Sequence, residues 1–315
     1  RNAEGTQCQF LWAILRNSFH YAAVHLATIA ETARDVDLAM RWGFGMKQGP
    51  FELWQEAGWL QVAKMIQEDI DAGKALSRAP LPEWVFKGPV ADAGGVHTEQ
   101  GSWNPTTAKF EPRRVLPVYE RQLFPELLLG EAGPRPDTAG KTLLENDAIR
   151  LWTLDDEIVI ATLKTKMRAI SPDAGEGLAQ AVEMAEKDYQ GLVIWPGDDP
   201  FSVGADLQAM LPGYVAGGAG LVDSMEKELQ ELMLRLRYAN VPTVAAIRGM
   251  ALGGGCEMAV HCAKRVAIME SYIGLVEVGV GLVPGAGGLA YIARRAAENA
   301  PASTGKDLLP FLSEG

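Results

Sequence analysis

Cysteine and histidine are scarce in this chain, three and four respectively in 315 residues. Cys8, Cys256 and Cys262 are odd in number and sit at no metal-ligand spacing, and His20, His25, His97 and His261 are scattered with no His-Glu-x-x-His among them. No disulfide framework and no metal site are expected; reduced thiols in a cytoplasmic compartment are the expected state. No uninterrupted apolar run reaches the roughly 18 residues that a membrane span needs, so no span is expected. The first residues show no signal-peptide pattern. Positive charge is in deficit as well: 29 Lys and Arg against 40 Asp and Glu leave a net charge of −11. A surface of that sign repels phosphate backbones, which argues against a nucleic-acid partner, and an anionic ligand would need a local basic patch. Also missing are the Gly-Lys-Ser/Thr of a phosphate loop, the Gly-x-Gly-x-x-Gly spacing of a dinucleotide site, and any internal repeat of about 20–50 residues.

What is present is ordinary globular composition, 48% hydrophobic and 22% charged, in a chain long enough for one large domain or two ordinary ones. Residues 8–40 carry apolar side chains at helical spacing. A second helical piece runs from Asp35 to about Trp42, and Gly49-Pro50 opens a third, with proline where a first helical turn tolerates it. Leu60 to Ala72 continues helically. Residues 1–76 are therefore expected to be a small all-α unit. From 77 to 140 proline recurs between Pro80 and Pro136 and no period holds. The expectation there is a long linker that packs along a surface through Trp84, Phe86, Trp103 and Tyr119 and marks a domain boundary. From 141 to 315 strand-like and helix-like segments alternate: Ile158–Leu163, Ala174–Tyr189, Gly191–Trp195, Leu221–Tyr238, Pro242–Ile247, Leu252–Cys262, Arg265–Met269 and Gly287–Arg295. That alternation means an α/β domain.

The chemistry-bearing stretch is Gly249-Met-Ala-Leu-Gly-Gly-Gly-Cys-Glu257, with Glu277 beyond it. Gly253-Gly254-Gly255 reads either as a flexible turn or as a strand–turn–helix junction that lays backbone N–H groups against a developing oxyanion. Glu257 reads either as an acid favoured by the helix dipole or, given its apolar neighbours, as a buried carboxylate tuned for proton transfer. Glu277, between Val276 and Val278, is either a cap or salt-bridge partner or a second proton carrier. Phe201-Ser-Val-Gly-Ala-Asp-Leu207 is a second glycine site, where Gly204-Ala205 would present another N–H and Asp206 reads as a cap. His261 reads as a core or interface residue. Lys164, Lys166 and Arg168 form a compact basic cluster, either solvated surface or a site for ligand phosphates.

These segments resemble the crotonase (enoyl-CoA hydratase/isomerase) superfamily. The resemblance rests on the 201–207 phrase, on Val241-Pro-Thr-Val-Ala-Ala-Ile-Arg-Gly-Met-Ala-Leu-Gly-Gly-Gly-Cys-Glu257, and on Gly274-Leu-Val-Glu-Val-Gly-Val-Gly-Leu-Val-Pro-Gly-Ala-Gly-Gly288, and it covers roughly residues 145–298. Upstream, Asp35-Val-Asp-Leu-Ala-Met-Arg-Trp-Gly-Phe-Gly45 and Gly49-Pro-Phe-Glu-Leu-Trp54 resemble the helical C-terminal domain of 3-hydroxyacyl-CoA dehydrogenases. The resemblance implies an α/β crotonase-like ββα superhelix behind that helical domain, together a piece of a bifunctional fatty-acid β-oxidation enzyme of the bacterial cytoplasm. The start at Arg1 without an initiator Met, and the end at Gly315 inside an amphipathic stretch, are expected to be cuts out of something longer.

By the same resemblance, Glu257 and Glu277 would flank one water, and the amides of Ala205 and Gly254 would form the oxyanion hole. Lys166, Met167, Ala169, Ser202, Gly204, Gly253 and Gly285 would contact an acyl-CoA substrate. Arg168 stands where the family commonly has Asn. The implied reaction is hydration of trans-2-enoyl-CoA; Δ3-Δ2 isomerisation is the alternative within enzymes, and a non-catalytic scaffold the alternative outside them. No cofactor is expected for this chain, since NAD would bind a domain upstream, and the full-length protein is expected to be a homo-oligomer. The glycines of Pro212–Gly220 suggest a mobile loop that sets acyl-chain length.

Overall fold

The computed structural model describes residues 5–299; the expectations about both chain ends and the last part of the α/β domain lie outside the described residues. The chain divides between Arg135 and Pro136 into two compact units.

The first unit is built on four helices, α1 (Thr6–Ile29), α2 (Ala33–Phe44), α3 (Pro50–Glu56) and α4 (Trp59–Asp71). The expected helix over 8–40 is two: the backbone turns extended at Ala30, and the Thr32 amide donates to Asp35 Oδ2 at 2.8 Å to start α2 afresh. Asp37 on α2 is fully buried and accepts the Phe51 and Glu52 amides, each at 3.0 Å, so it satisfies the free N–H groups at the start of α3. His97 Nε2 lies 2.8 Å from the same carboxylate.

The expected linker over 77–140 is not one, and this is a correction. Leu81, Val85, Val90, Val96 and Trp103 are buried in the same cluster as Phe19, Leu26, Trp54 and Trp59. Val90 arrives on a short helix, α5 (Pro89–Ala93), and Trp103 on an antiparallel three-stranded sheet, β1 (His97–Thr98), β2 (Gly101–Asn104) and β3 (Lys109–Glu111), so the unit is not purely helical either. Trp84 bridges Trp59 and Trp103 at ring distances of 6.2 and 6.0 Å. Further along, the buried Glu131 pairs with the buried Arg34. The segment lacks a period because its apolar residues come from turns and short strands, but large aromatic side chains at irregular spacing still fill a core. Of the expected contacts, Tyr119 is the exception: it stays exposed.

The second unit is α/β. A six-stranded sheet has the order β10-β8-β7-β6-β5-β4, from β4 (Lys141–Glu145), β5 (Ile149–Thr153), β6 (Ile158–Leu163), β7 (Gly191–Ile194), β8 (Thr243–Ile247) and β10 (Lys264–Ala267). β4, β5 and β6 run antiparallel, and β6, β7, β8 and β10 parallel. The parallel crossovers are α6 (Pro172–Asp188), α7 (Leu207–Arg237) and α8 (Gly254–His261); α9 (Gly288–Asn299) follows. The boundary falls a few residues before the expected 140, because Arg150 on β5 donates to the carbonyls of Pro136, Asp137 and Ala139 and ties them to the sheet.

A second, short layer of pairing gives the unit its winding. β9 (Met250–Leu252) follows β8 and pairs in parallel with β11 (Tyr272–Gly274), which follows β10. On its other side Ala251 bridges Ser202, the segment that follows β7, and Ala205 in turn bridges Ile170, which follows β6. Each turn of chain thus gives one strand to the large sheet, one extended piece to the small layer, and one helix. That is the expected ββα superhelix. The expected loop at Pro212–Gly220 is instead part of α7, whose helical backbone breaks at Gly218 (φ 64°, ψ −157°). Among the described residues no helix is long and apolar enough to cross a membrane.

Replacing Asp37 with Ala would strand two amides and the His97 ring in a dry interior. A loss of about 3–5 kcal/mol from the first unit is expected, measurable by denaturant titration of the fluorescence of Trp54, Trp59 and Trp103.

Candidate functional site

The small layer determines where the glycines go. The Ser202 amide donates to Met250 O at 3.0 Å and the Leu252 amide to Ser202 O at 2.9 Å, which fastens the segment after β7 to β9. Two residues on from each bridged residue, Ser202 and Ala251, the chain turns through a positive φ, at Gly204 (91°) and at Gly253 (53°). Gly204 excludes a side chain on steric grounds too, and Gly253 leaves little room for one. A Cβ on Gly204 would lie 2.7 Å from the Gly254 nitrogen, and one on Gly253 would lie 3.1 Å from Glu277 Oε1. The outcome is that the amides of Ala205 and Gly254 sit side by side: a Cβ on Gly254 would be 3.3 Å from the Ala205 nitrogen. Neither amide donates to a protein acceptor among the described residues. Gly254 is the first residue of α8, so its N–H belongs to the free donors of a helix start.

Ser202 is fully buried and serves this turn from within. Its hydroxyl donates to Arg168 O at 2.8 Å and accepts the Gly204 amide at 3.1 Å. The Val203 amide donates to Met167 O at 3.3 Å. The 3₁₀ turn Lys166–Arg168 is thereby docked beside Gly204 in a conformation unusual for its residues, with φ 55° at both Met167 and Arg168. The side chain of Met167 is exposed. The expected basic cluster is only partly available. Lys164 is bound to Glu145 and to Asn146 O, each at 2.8 Å, whereas Lys166 stands exposed. Arg168 keeps a buried Nε without a partner.

The two carboxylates converge on this turn. Glu257, in the first turns of α8, is 2% exposed, and its Oε1 accepts the Gly288 amide at 2.8 Å. Burial pushes its pKa up from the ordinary glutamate value. The Gly288 hydrogen bond opposes this, and the charges of Glu277 and Glu226 push it further up. Glu277 opens the 3₁₀ turn Glu277–Val280 beyond β11, and its Oε2 is buried with no hydrogen-bond partner. The pairing of Gly274 with Leu252 and the hydrogen bond from the Gly253 amide to Gly274 O, 2.9 Å, bring it back to the glycine turn. A buried carboxylate oxygen left without a donor is costly unless a ligand supplies one.

The rest of the neighbourhood is less reactive. Cys256 lies beside the acids, but burial first, then the charges of Glu257 and Glu277, raise its pKa to about 11, so the thiol stays protonated near neutral pH. His261 is the core residue expected: buried, with Nδ1 2.7 Å from Glu257 O and a pKa lowered mainly by burial. Asp206 leads directly into α7 and lines a cavity of about 580 Å³ that reaches from Ala205 along the groove between α6 and α7. Gly285 packs against Glu226 of α7, since a Cβ there would overlap Glu226 Oε1. Of the expected site residues, then, Ala205, Gly254, Gly204, Gly253, Glu257 and Glu277 meet at one turn, while Ser202, Met167 and Ala169 build its wall. Sequence reasoning missed two residues. Gly288 holds Glu257, and its position in a glycine-rich loop was the available signal. Glu226 lies mid-helix among other acids, and nothing in the sequence marks it.

Residues 155–303 match the family described as enoyl-CoA hydratase/isomerase. That match covers just under half of the chain. Over 89% of its length the chain is 32% identical to a Bacillus subtilis protein named probable 3-hydroxyacyl-CoA dehydrogenase, and over 88% it is 30% identical to a Rickettsia felis protein named putative fatty acid oxidation complex trifunctional enzyme. In each case the match covers 33% of the relative, so the chain spans about a third of the length of these curated proteins. An enoyl-CoA hydratase from Polaromonas sp. JS666 is 25% identical over 47% of this chain and 58% of its own, with a TM-score of 0.45.

A carboxylate whose folded pKa is raised stabilises the fold less as pH rises. The unfolded chain releases the proton first, so the contribution is complete below the ordinary glutamate range and is lost as pH climbs through the folded pKa. Glu257→Gln is therefore expected to stabilise the second unit, slightly at acidic pH and more at neutral and alkaline pH. Thermal unfolding of both proteins across that range checks it; an unchanged difference at all pH values would contradict the assignment of Glu257 as a strained buried acid.

Proposed function

We propose that the family domain of this chain is an enoyl-CoA hydratase that adds water to trans-2-enoyl-CoA to give 3-hydroxyacyl-CoA. The observation that carries this reading is the presence of two carboxylates, Glu257 and Glu277, at one pair of free amides, with Glu277 Oε2 buried and unpartnered. The thioester oxygen would lie between the Ala205 and Gly254 amides. As water oxygen bonds to C3, one carboxylate takes its proton, and the C2=C3 electrons move toward the thioester to make an enolate. The other carboxylate then delivers a proton to C2, so the net addition is one water with no change of oxidation state. The amides act where charge develops, and a donor so placed is worth about 2.7–4 kcal/mol. A shift of a double bond needs only one proton shuttle, which is why two acids favour hydration over isomerisation.

Substrate contacts follow from the same turn. Gly204, Gly253 and Gly285 let the acyl-CoA approach main chain, Met167 and Ala169 flank it, and Lys166 is the exposed cation for its phosphates. Ser202 contributes through Gly204 and not by direct contact. The first unit we assign as the counterpart of the helical C-terminal domain of a 3-hydroxyacyl-CoA dehydrogenase, in keeping with the names of the Bacillus and Rickettsia relatives. On this reading NAD is not a ligand of these residues, which carry no Gly-x-Gly-x-x-Gly turn. The proposed setting is fatty-acid oxidation in the bacterial cytoplasm, within a longer homo-oligomeric protein.

Loss of the ultraviolet enone absorbance of crotonyl-CoA tests the reading. The parent chain is expected to hydrate it, and Glu257→Gln and Glu277→Gln each to lower kcat by about 10²–10⁴-fold. Double-bond migration that survives Glu277→Gln would mean an isomerase. An absence of acyl-CoA binding would mean a scaffold.

A further inference from the structure

Two helices grip the loop of residues 284–288 from different sides. From α8, Glu257 holds it at Gly288, at 2.8 Å. From α7, Glu226 lays its carboxylate on the Gly285 backbone, and Gln230, one helical turn on, donates Nε2–H to Gly285 O at 2.7 Å. Glu226 is only half-buried and lines the cavity that begins at Ala205. Its pKa is raised, first by burial and then by the charge of Glu277, while its own charge raises that of Glu257. The three acids therefore feel one another across a single short loop.

The other titratable groups facing this cluster do not neutralise it. On α8, Cys256 remains a thiol and His261 is held toward its neutral form by burial and by the charges of Arg237 and Arg294. The Tyr291 ring of α9 stands 6.4 Å from His261. On the cavity side, Glu226 shares its walls with Asp173, Glu176, Glu183, Asp206, Glu228 and Glu231, and with one cation, Arg235, which is paired to Glu183 at 2.8 Å. Glu226 and Glu257, seated three residues apart on one loop, therefore take up protons as a coupled pair and not as independent residues.

We propose that Glu226 is a third carboxylate of the reaction centre, a positioning residue whose charge, seated on Gly285, decides which of the acids holds the proton that the reaction delivers. It does not touch the reacting carbons; it acts through Glu257. The inference rests on the hydratase reading above for its role in catalysis, though not for the coupling itself.

Two readouts on the whole chain test it. Carbon-13 NMR of labelled glutamate carboxyl groups, with the Glu257 signal assigned by its loss in Glu257→Gln, follows proton binding without turnover. Glu226→Gln is expected to move the Glu257 titration to lower pH. In crotonyl-CoA hydration it is expected to move the limb of the pH–rate profile that follows Glu257 in the same direction, with kcat reduced severalfold and KM unchanged. Glu226→Asp, which keeps the charge, is expected to restore the profile. Gln230→Ala, which removes the other half of the grip on Gly285 but no charge, is expected to leave it in place. If Glu226→Gln lowers stability while the Glu257 titration and the profile stay where they were, Glu226 is a clamp only and the proposal is overturned. Should Glu226→Gln fail to fold, Gln230→Ala carries the test: a Glu257 titration and profile displaced by that change, which removes no charge, would overturn the proposal equally. A chain that shows the coupling but no hydration supports the coupling and removes the hydratase reading instead.

Discussion

The short parallel pairing of Ser202 with β9 is the contact on which the site depends. It consists of two hydrogen bonds, Ser202 N to Met250 O and Leu252 N to Ser202 O, at 3.0 and 2.9 Å. Those two bonds join segments nearly fifty residues apart in sequence, and both glycine turns hang from them. Without them the Ala205 and Gly254 amides would belong to separate loops, and neither would define a position for the other. The hydroxyl of Ser202 adds a third tie, into the turn that holds Met167 and Arg168. Preorganisation here is a property of main chain: the donors are fixed before any ligand arrives, so the reaction need not reorient them.

The acids follow the opposite logic. A backbone donor costs little to bury at a helix start, whereas a carboxylate in the same place is strained in its charged form. The fold places Glu257 almost out of solvent with one hydrogen bond from Gly288 and leaves an oxygen of Glu277 with none. Those features weaken the fold; in the proposed reaction Glu257, whose pKa burial raises, would both hold and release a proton. The same environment silences Cys256, whose thiol would otherwise be the strongest nucleophile nearby.

Legibility in the sequence followed the range of the interactions. Ile158–Leu163 is the strand expected, residue for residue, because a run of branched apolar residues between polar turns is a local signal. The glycine triplet and Glu257 were legible for a similar reason: strand, glycines and apolar helix lie next to one another in sequence. The short strands β9 and β11 were not, since each is defined by a partner elsewhere in the chain. The stretch from 77 to 135 misled because proline and irregular spacing look like linker, although Trp84 and Trp103 complete a core by stacking. Glu226 was invisible for the plainest reason. Its meaning comes wholly from the loop it touches, and that loop lies some sixty residues further along the chain.

The division between main-chain donors and side-chain acids bears on how one family comes to carry the words hydratase and isomerase together. On the proposed reading the amide pair would recognise what all such substrates share, a thioester oxygen about to gain charge, with donors that no side chain supplies. The acids determine what happens to protons at the neighbouring carbons. One carboxylate can move a proton between two carbons; a second is needed to activate water while a proton is still available for the carbon. The change from one chemistry to the other thus requires no change in fold or in the oxyanion donors, only a change in how many carboxylates face the bound enoyl group and how their protons are shared. In this chain two acids flank the glycine turn and a third, Glu226, leans on the loop that holds Glu257; on the proposed reading the outcome would be governed by electrostatics within a few residues of Gly285 and Gly288, on a frame that the parallel pairing at Ser202 has already fixed.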